Sequence, residues 1–360
     1  TAEFRKGGAA DSITLRRLRD RLHQLEDSAR QYVVSNELAR VLTRNGAVRL
    51  NASTFSDGTN YFLALPSNRS ELWFVLEADR IRNPVLREFY SERDVVMEER
   101  RLRVETQPFG MLSEEFLQAA FRAHPYGRPV VGVASEIQTV SRNAANEYFH
   151  RFYGPNNSVV AIVGDIDTTQ LKRWADQFFA SIPSGAPHQP VVTQEPPQRG
   201  ERRIEVEYDA NPLVMIGYHV PNAMHPDSRA LVMLANLLTG GRTARLTSRL
   251  VVRDHIAVSI NAGNQPGSRY PRLFTFTGVP IAPHPTQEIE AAVYEELERA
   301  QREPPTDYEM QRMRNQVEAG SIGRIENAFS LALQMASSEA LYDDWRQSFR
   351  FDAANLAVTP

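Results

Sequence analysis

Two acidic residues that could take part in catalysis, Glu92 and Glu99, lie seven positions apart in a segment whose pattern predicts a helix. Seven steps of about 100° bring both side chains to within about 20° of one helical face. Valine and methionine side chains lie close to that face, so we expect at least one carboxylate to be partly dehydrated. A dehydrated carboxylate needs a metal ion, an arginine or a proton as a partner. Taken alone, the segment favours an ordinary helix with salt bridges to Arg100 and Arg103.

The composition places these acids in an ordinary globular protein. The chain has 360 residues, 42% hydrophobic and 24% charged, which is enough for two domains. Its net charge of -3 gives no support to a nucleic-acid partner, and no apolar run approaches the length of a membrane span. The chain contains no cysteine, which excludes disulfides, thiolate zinc sites and cysteine nucleophiles. Any metal must therefore be held by His, Asp or Glu.

Residues 1–35 are predicted to form a helical coil insertion at the N-terminus. Leucines at 15, 18, 22 and 25 and Ala29 recur at alternating spacings of three and four among charged residues. This spacing is typical of one arm of a helical hairpin.

A first α/β unit is predicted over residues 36–182. Ala47–Pro66 alternates around a Ser-Asp-Gly turn, which predicts a β-hairpin. Apolar periodicity predicts helices at about 71–81, 86–105, 112–123, 141–153 and 168–179. The short apolar run at 157–163 predicts a buried strand.

A second unit is predicted over residues 204–360, after a linker at 183–203 that is rich in Pro, Gly and Gln. Asn261-Ala262 and the return strand Leu273–Val279 mirror Asn51-Ala52 and its return strand, and long helices follow each hairpin. The predicted fold class is α+β. It comprises two homologous α/β units, each with a mixed, largely antiparallel sheet flanked by helices.

Aligning the two units leaves some elements unmatched. A strand (Leu213–Val220) and a helix (Asp227–Leu238) precede the second hairpin but not the first. The strand and helix predicted after residue 157 have no counterpart at the end of the chain. We therefore expect the chain to lack its first and its last strand–helix pair.

Short motifs follow one another in a fixed order between residues 36 and 360. They are Asn51-Ala52-Ser53-Thr54, Leu76-Glu77-Ala78-Asp79-Arg80, Glu92–Arg101, His124-Pro125-Tyr126, Tyr153-Gly154-Pro155-Asn156-Asn157, Tyr218-His219-Val220-Pro221 and Gly240-Gly241-Arg242. In this order and spacing the chain resembles the pitrilysin/insulinase family of zinc metallopeptidases, in its bacterial and mitochondrial-processing-like branch. No single motif is decisive, but the set is specific.

The resemblance implies a Zn2+ ion held by two histidines of an inverted HxxEH motif and by a downstream glutamate. By position that ligand is Glu99, and Glu92 is the acid that supports it from the second coordination sphere. The glutamate of the motif would act as general base on a zinc-bound water. These implied roles make Glu92 a catalytic candidate and Glu99 a metal-ligand candidate.

The chain contains no HxxEH motif. The nearest string is His23-Gln24-Leu25-Glu26-Asp27, and on the helical wheel His23 and Asp27 point away from the leucine seam and toward water. We expect the two missing histidines before Thr1. The other histidines show no ligand spacing, and loop or surface roles are expected for His124, His150, His188, His219, His225, His255 and His284.

The resemblance also assigns Asn51, Ala52 and Thr54 to substrate binding. An exposed edge strand can take up an extended peptide as one more strand through main-chain hydrogen bonds. The asparagine side chain would then reach the substrate backbone. The plainer interpretation is that Asn51 ends a strand.

Two further segments are weaker candidates. Gly240-Gly241-Arg242-Thr243 lacks the lysine and the preceding strand of a phosphate loop, so a helix break is expected there. Larger family members supply an arginine and a tyrosine to the substrate carbonyl. Arg245 or Arg249 could match the arginine, but Ala257 stands near the tyrosine position, so neither role is assigned.

The sequence therefore predicts a zinc-dependent endopeptidase that cleaves peptides or unfolded polypeptides in an enclosed chamber, with a second homologous subunit as a potential partner. The alternative is a non-catalytic family member that holds substrate or acts as a scaffold, and an HxxEH helix upstream of Thr1 would decide between them. A generic peptide-binding module is a more distant interpretation. The 360 residues alone are expected to be inactive, because one carboxylate cannot hold a catalytic zinc. A periplasmic location is favoured over a cytoplasmic one.

Overall fold

The computed structural model describes residues 11–187 and 189–360, with the backbone alone at positions 19, 23, 26, 29 and 30. Residues 1–10 of the predicted coil, and His188, lie outside the described residues. The fold is α+β, with small antiparallel sheets flanked by helices, which confirms the predicted class.

The first helix, α1 (Ser12–Arg30), coincides with the predicted coil. Its leucines do not find the expected partner. Leu18, Leu22 and Leu25 are 48%, 45% and 52% exposed, so no second helix covers this face in the described part of the chain. The helix was predicted correctly from its periodicity, but the helical hairpin was not found.

The N-terminal half continues with a hairpin and a series of helices. Its elements are α2 (Glu37–Arg44), β1 (Val48–Phe55), β2 (Gly58–Ala64), α3 (Ser70–Arg82), α4 (Phe89–Arg100), α5 (Pro108–Ala120), α6 (Ala134–Thr139), α7 (Arg142–Phe152) and α8 (Thr168–Phe178). β1 and β2 pair antiparallel, with Ala52 opposite Tyr61 and Thr54 opposite Thr59. The hairpin lies where the alternation predicts it.

Two predictions for this half are wrong in detail. The helix predicted at 86–105 begins later, at Phe89, and it widens after Arg100 into a π-helical segment, Arg101–Glu105. Residues 158–163 are not a strand, and Val159 and Val160 are 39% and 54% exposed. A strand needs neighbouring backbone to satisfy its N–H and C=O groups, and no strand of the described residues pairs with this apolar run.

The C-terminal half contains a three-stranded sheet and five helices among the described residues. Its elements are β3 (Val214–Val220), α9 (Asp227–Thr239), the π-helical segment Thr247–Arg253, β4 (Ala257–Gln265), β5 (Arg272–Pro280), α10 (Thr286–Arg302), α11 (Asp307–Ile325), α12 (Ala328–Tyr342) and α13 (Gln347–Leu356). The strand order is β3-β5-β4, with both pairings antiparallel. The predicted strand, helix and hairpin of this half are confirmed.

A glycine pair ends α9 as the sequence predicts. The Gly240 N–H donates to the Asn236 carbonyl, which closes the last turn of the helix. Gly241 follows with φ of 88°, in the left-handed region that glycine adopts without strain. The Gly-Gly sequence is therefore a helix break.

The largest core lies on β5 and the helices that cover it. Phe274 and Phe276 of β5 are almost fully buried, and they pack with Leu238, Leu250 and Ile289. β5 is the central strand, with a paired strand along each edge, and the residues of its first half are buried in succession. The hydrophobic stabilisation of this half is concentrated there.

The hairpin of the N-terminal half lies against the C-terminal half. The Ser56 hydroxyl donates to the Pro266 carbonyl at 3.2 Å, and the Asp57 carboxylate accepts the Ser268 N–H at 2.7 Å. Further along, Phe62 of β2 meets Phe329 of α12 edge to face, with ring centroids 5.3 Å apart. The turn of one hairpin thus contacts the loop between β4 and β5.

The segment between the halves has no helix or strand. Residues 183–187 and 189–203 are irregular, as the predicted linker requires. The domain boundaries themselves remain predictions. Among the described residues, none of the helices combines the length and the apolar content that crossing a bilayer would need.

Candidate functional site

The outer edge of β1 is open. β1 pairs with β2 along one edge, and no other strand of the described residues pairs with it along the other. Asn51, Ala52 and Thr54 are all exposed on this strand. An unpaired edge presents backbone N–H and C=O groups that a second chain can bind.

The Asn51 side chain lies along this open edge. Its Oδ1 accepts the N–H of Ala52 at 2.8 Å. Because that N–H bonds to the side chain, it is directed away from β2. The contact fixes the carboxamide at the strand edge and leaves its NH2 group as a donor for another backbone.

Both faces of the hairpin are held by other elements. On one face Phe62 packs on Phe329, and the Arg49 guanidinium lies 5.0 Å from the centre of the same Phe329 ring. On the other face the Tyr61 hydroxyl lies 2.8 Å from the hydroxyl of Tyr153. These contacts hold the hairpin from both faces and leave the edge of β1 accessible.

The acidic helix places Glu92 and Glu99 as its spacing predicts, on α4. Glu92 is exposed, and the Glu99 side chain is 40% exposed, so partial dehydration applies to Glu99 alone. Arg103 Nη2 lies 2.9 Å from the Glu99 carboxylate. Arg103 is one of the two arginines expected to form salt bridges if the segment is an ordinary helix.

Arg100 does not pair with either of these acids. It is 8% exposed, and its guanidinium donates to both oxygens of Glu114 on α5, at 2.9 and 3.0 Å, and to the Gly132 carbonyl at 2.7 Å. The hydrogen bonds that Arg100 donates to Glu114 raise the pKa of the guanidinium. This two-point contact between Arg100 and Glu114 connects α4 to α5 and fixes the helix that carries Glu99.

The described residues do not form a zinc site on their own. No group of three or more His, Asp or Glu side chains is close enough to hold a metal ion within 11–187 and 189–360. Glu99 supplies one oxygen donor, and that donor is paired with Arg103. A catalytic zinc takes three protein ligands, so this donor set does not fit it.

The histidines divide into three groups. His23 lies on α1, but its side chain is outside the described residues, as is all of His188. His284 lies 2.8 Å from Glu288 on the surface, in the expected role. His124 lies in a loop, as expected, but not on the surface: it is 6% exposed, and its Nδ1 accepts the Tyr126 N–H at 3.1 Å.

Arg245 and Arg249 are both engaged in ion pairs. Arg245 is buried, and its guanidinium donates to both oxygens of Glu309 at 2.7 and 3.0 Å. Arg249 donates to Glu295 at 2.7 Å. Arg245 in particular is a structural residue that holds α11 in place.

Sequence reasoning missed a buried polar network between the two halves. The Tyr126 hydroxyl donates to Asp57 at 2.5 Å, and the same hydroxyl accepts the Tyr270 N–H at 3.2 Å. Glu195 of the linker accepts three consecutive backbone N–H groups, from Arg122, Ala123 and His124, at 2.9, 2.9 and 3.1 Å. These partners are far apart in sequence, and only the Ser-Asp-Gly turn and the His-Pro-Tyr motif could have pointed to them.

Comparison with known proteins gives consistent results. Residues 139–317 match the family model described as the peptidase M16 inactive domain. The zinc protease PqqE of Helicobacter pylori is 29% identical over 321 residues, which cover 86% of this chain and 71% of that protein. The chain belongs to the M16 peptidase family.

An M16 fold is also found by structural similarity. The crystal structure of a protease from Helicobacter pylori matches with a TM-score of 0.82 at 26% identity, over 90% of this chain and 79% of that one. An uncharacterized zinc protease of Mycobacterium tuberculosis is 30% identical over 222 residues. That match covers 59% of this M16 chain and 49% of the mycobacterial protein.

Proposed function

We propose that this M16 chain binds extended peptides along the outer edge of β1, as part of a zinc-dependent endopeptidase that acts on peptides or unfolded polypeptides. The observation that carries the proposal is the open edge of β1 with the Asn51 carboxamide fixed on it. A strand added there would gain main-chain hydrogen bonds that are indifferent to the peptide's side chains. Relatives named as zinc proteases support the peptidase assignment.

Asn51, Ala52 and Thr54 have distinct parts in this proposal. Asn51 Nδ2 donates to a peptide carbonyl, while its Oδ1 stays on the Ala52 N–H. Thr54 lies 3.3 Å from Thr59 through their hydroxyls, which fixes the strand near the turn. The exposed backbone of these residues supplies the remaining hydrogen bonds.

The first experiment replaces Asn51 with aspartate. Asn51→Asp keeps the oxygen that accepts the Ala52 N–H and removes the amide donors. We expect the affinity for a fluorescein-labelled, proline-free peptide of about ten residues to fall about tenfold, or about 1.4 kcal/mol, measured by fluorescence anisotropy.

Two controls accompany this measurement. Asn261→Asp makes the same change on β4, the equivalent strand of the C-terminal half, and should leave the affinity unchanged. A peptide whose alternate backbone nitrogens are methylated should bind weakly to the unaltered chain. Equal affinities for Asn51→Asp and Asn261→Asp would contradict strand addition at β1.

For the peptidase itself, we propose Glu99 as a zinc ligand and Glu92 as the acid that supports it. Glu99 would have to exchange Arg103 for the metal, since the two side chains are now paired. Glu99→Gln in the native protein is then expected to abolish both zinc binding and peptide cleavage while leaving peptide affinity intact. Metal analysis and a quenched-peptide assay measure the two losses.

Glu98→Gln is the matched control for Glu99→Gln. Glu98 is the neighbouring exposed acid on the same helix, paired with Arg101. Full activity of Glu99→Gln would refute the ligand assignment. We further expect less than one zinc per chain in the 360 residues alone, because no group of three His, Asp or Glu side chains among the described residues could hold the ion.

A second candidate function is substrate holding without catalysis. Two observations favour it: the matching family model describes an inactive domain, and the described residues contain no metal-ligand group of three. In that case the Asn51→Asp variant still loses peptide affinity, but Glu99→Gln and Glu98→Gln behave alike. The two experiments together therefore separate the enzyme from the scaffold.

A further inference from the structure

Two arginines of the C-terminal half, Arg272 and Arg229, lie around one pair of loops; Arg272 is buried and Arg229 is half-buried. Arg272, the first residue of β5, is 8% exposed, and its Nη1 donates to the Gly267 carbonyl at 3.1 Å. Arg229, in the first turn of α9, donates through Nη2 to the Ala223 carbonyl at 3.0 Å. The Ala223 N–H in turn donates to the Ser268 carbonyl, so the two loops that hold the guanidinium groups are joined.

Much of the hydrogen-bonding capacity of these two groups is unused. A guanidinium has five N–H donors. Arg272 Nε is buried and has no acceptor within the described residues. Among the described residues, the one further acceptor for Arg229 is Asn355, at 3.5 Å, and the Arg229 guanidinium lies 3.9 Å from the centre of the Phe351 ring.

The carboxylates near the two arginines are committed to other partners. Asp57 bonds to the Tyr126 hydroxyl and to the N–H groups of Ser268 and Arg269. Asp352 bonds to Arg324 at 2.6 Å. Within the described residues, neither Arg229 nor Arg272 forms an ion pair with an acid.

The remaining neighbours are the phenols of Tyr126, close to Arg272, and Tyr342, close to both arginines. Burial lowers the pKa of both arginines, and the charge of Arg272 lowers that of Arg229 further. The charges of Asp352 and Asp57 oppose these shifts but do not reverse them. Two neighbouring guanidinium cations that have lost much of their hydration are unfavourable unless an anion compensates both charges.

We propose that Arg229 and Arg272 together bind an oxyanion, either inorganic phosphate or the carboxylate of a small ligand, at the joined loops beside α12 and α13. Guanidinium groups recognise both chemistries through paired N–H donors. The Phe351 ring orients the Arg229 plane, and the Gly267 carbonyl orients Arg272. This site is separate from the edge of β1 and does not depend on the proposed peptidase function.

The test measures the thermal unfolding midpoint of the chain in phosphate, succinate and chloride salts at equal ionic strength near neutral pH. A ligand that binds only the folded state raises the midpoint in a saturable way. We expect such a rise in phosphate, in succinate or in both, relative to chloride. A rise in phosphate alone identifies a phosphate site, and a rise in succinate alone identifies a carboxylate site.

Phosphate also stabilises proteins without binding to a site, so the variants decide the outcome. Arg272→Met and Arg229→Met keep the aliphatic length and remove the donors, and the saturable rise should disappear in both. Arg203→Met changes a surface arginine paired with Glu290 and should keep the rise. Should Arg272→Met fail to fold, Arg229→Met serves alone.

Two results would overturn the proposal. One is an unaltered chain whose midpoint is the same in all three salts. The other is a variant at position 229 or 272 that keeps the full rise.

Discussion

At the scale of single residues, two buried arginines of this protein form ion pairs that join separate segments. Arg100 and Glu114 join α4 to α5, and Arg245 and Glu309 join the segment after α9 to α11. Glu309 also accepts the Thr306 N–H, which makes it part of the capping box of α11. A buried arginine of this kind is strongly destabilising once it loses its acid.

Removal of the Glu309 carboxylate should show this cost. Within the described residues, Glu309→Leu leaves the buried Arg245 with only the Glu303 carbonyl, 3.4 Å away, and the Glu296 carboxylate, 3.7 Å away. We expect the free energy of unfolding to fall by about 3 kcal/mol in urea titrations. The double variant Arg245→Met/Glu309→Leu should recover part of the loss, and a double variant no more stable than the single one would contradict the argument.

The same pair sets a pH dependence. The Arg245 guanidinium lowers the pKa of Glu309 to about 2, from an ordinary value of 4.5. A lowered carboxyl pKa contributes stability that is present above about pH 4.5 and lost as the pH falls toward about 2. The Glu309→Leu chain should therefore lose less stability over this interval than the unaltered chain.

At the scale of elements, the end of α5 is where the linker and both halves meet. Glu195 of the linker caps the backbone at 122–124, and His124 packs among Tyr126 and Tyr270 with ring centroids 4.5 and 5.0 Å away. Burial lowers the pKa of His124, although the charges of Glu195 and Asp57 oppose the shift. The neutral imidazole is the form that can accept the Tyr126 N–H.

Acidification should therefore weaken this junction. The folded state of a base with a lowered pKa binds fewer protons than the unfolded state, so stability falls as the pH drops below about 6.5. We expect the urea midpoint of the unaltered chain to decrease between pH about 7.5 and about 5, with a smaller decrease in His124→Phe. His150→Phe, an exposed control, should behave as the unaltered chain does. If His150→Phe also reduces the pH dependence of the urea midpoint, that dependence cannot be attributed to His124 alone.

At the scale of the whole molecule, the sequence predicts elements better than it predicts their partners. The hairpins, the strand at β3 and the helix at α9 follow from alternation, turn residues and apolar periodicity. Residues 158–163 have the composition of a strand, but no strand of the described residues pairs with them. The leucines of α1 have the spacing of a helix–helix interface, but no second helix among the described residues covers them. Composition reports what a segment could bury and does not report what lies beside it.

The candidate site shows the same division. The positions of Asn51, Ala52 and Thr54 on an exposed strand were predicted, and so was the shared helix of Glu92 and Glu99. Their roles in binding and catalysis stay predictions. The contact of Asp57 with Ser268 and the backbone bond from Ala223 to Ser268, which joins the loops that hold Arg229 and Arg272, connect distant parts of the chain, and no local pattern signals them.

The support of the β1–β2 hairpin by α12 has a thermodynamic consequence. Because Phe329 and Phe62 belong to opposite halves, moving the halves apart removes one wall from the strand that carries Asn51. If a ligand binds more tightly while Phe329 contacts Phe62, the bound ligand must also stabilise the contact between the halves. The two effects are equal in free energy. Ligand binding at the edge of β1 and contact between the two halves would then be reciprocally linked, and loss of that contact would favour ligand release.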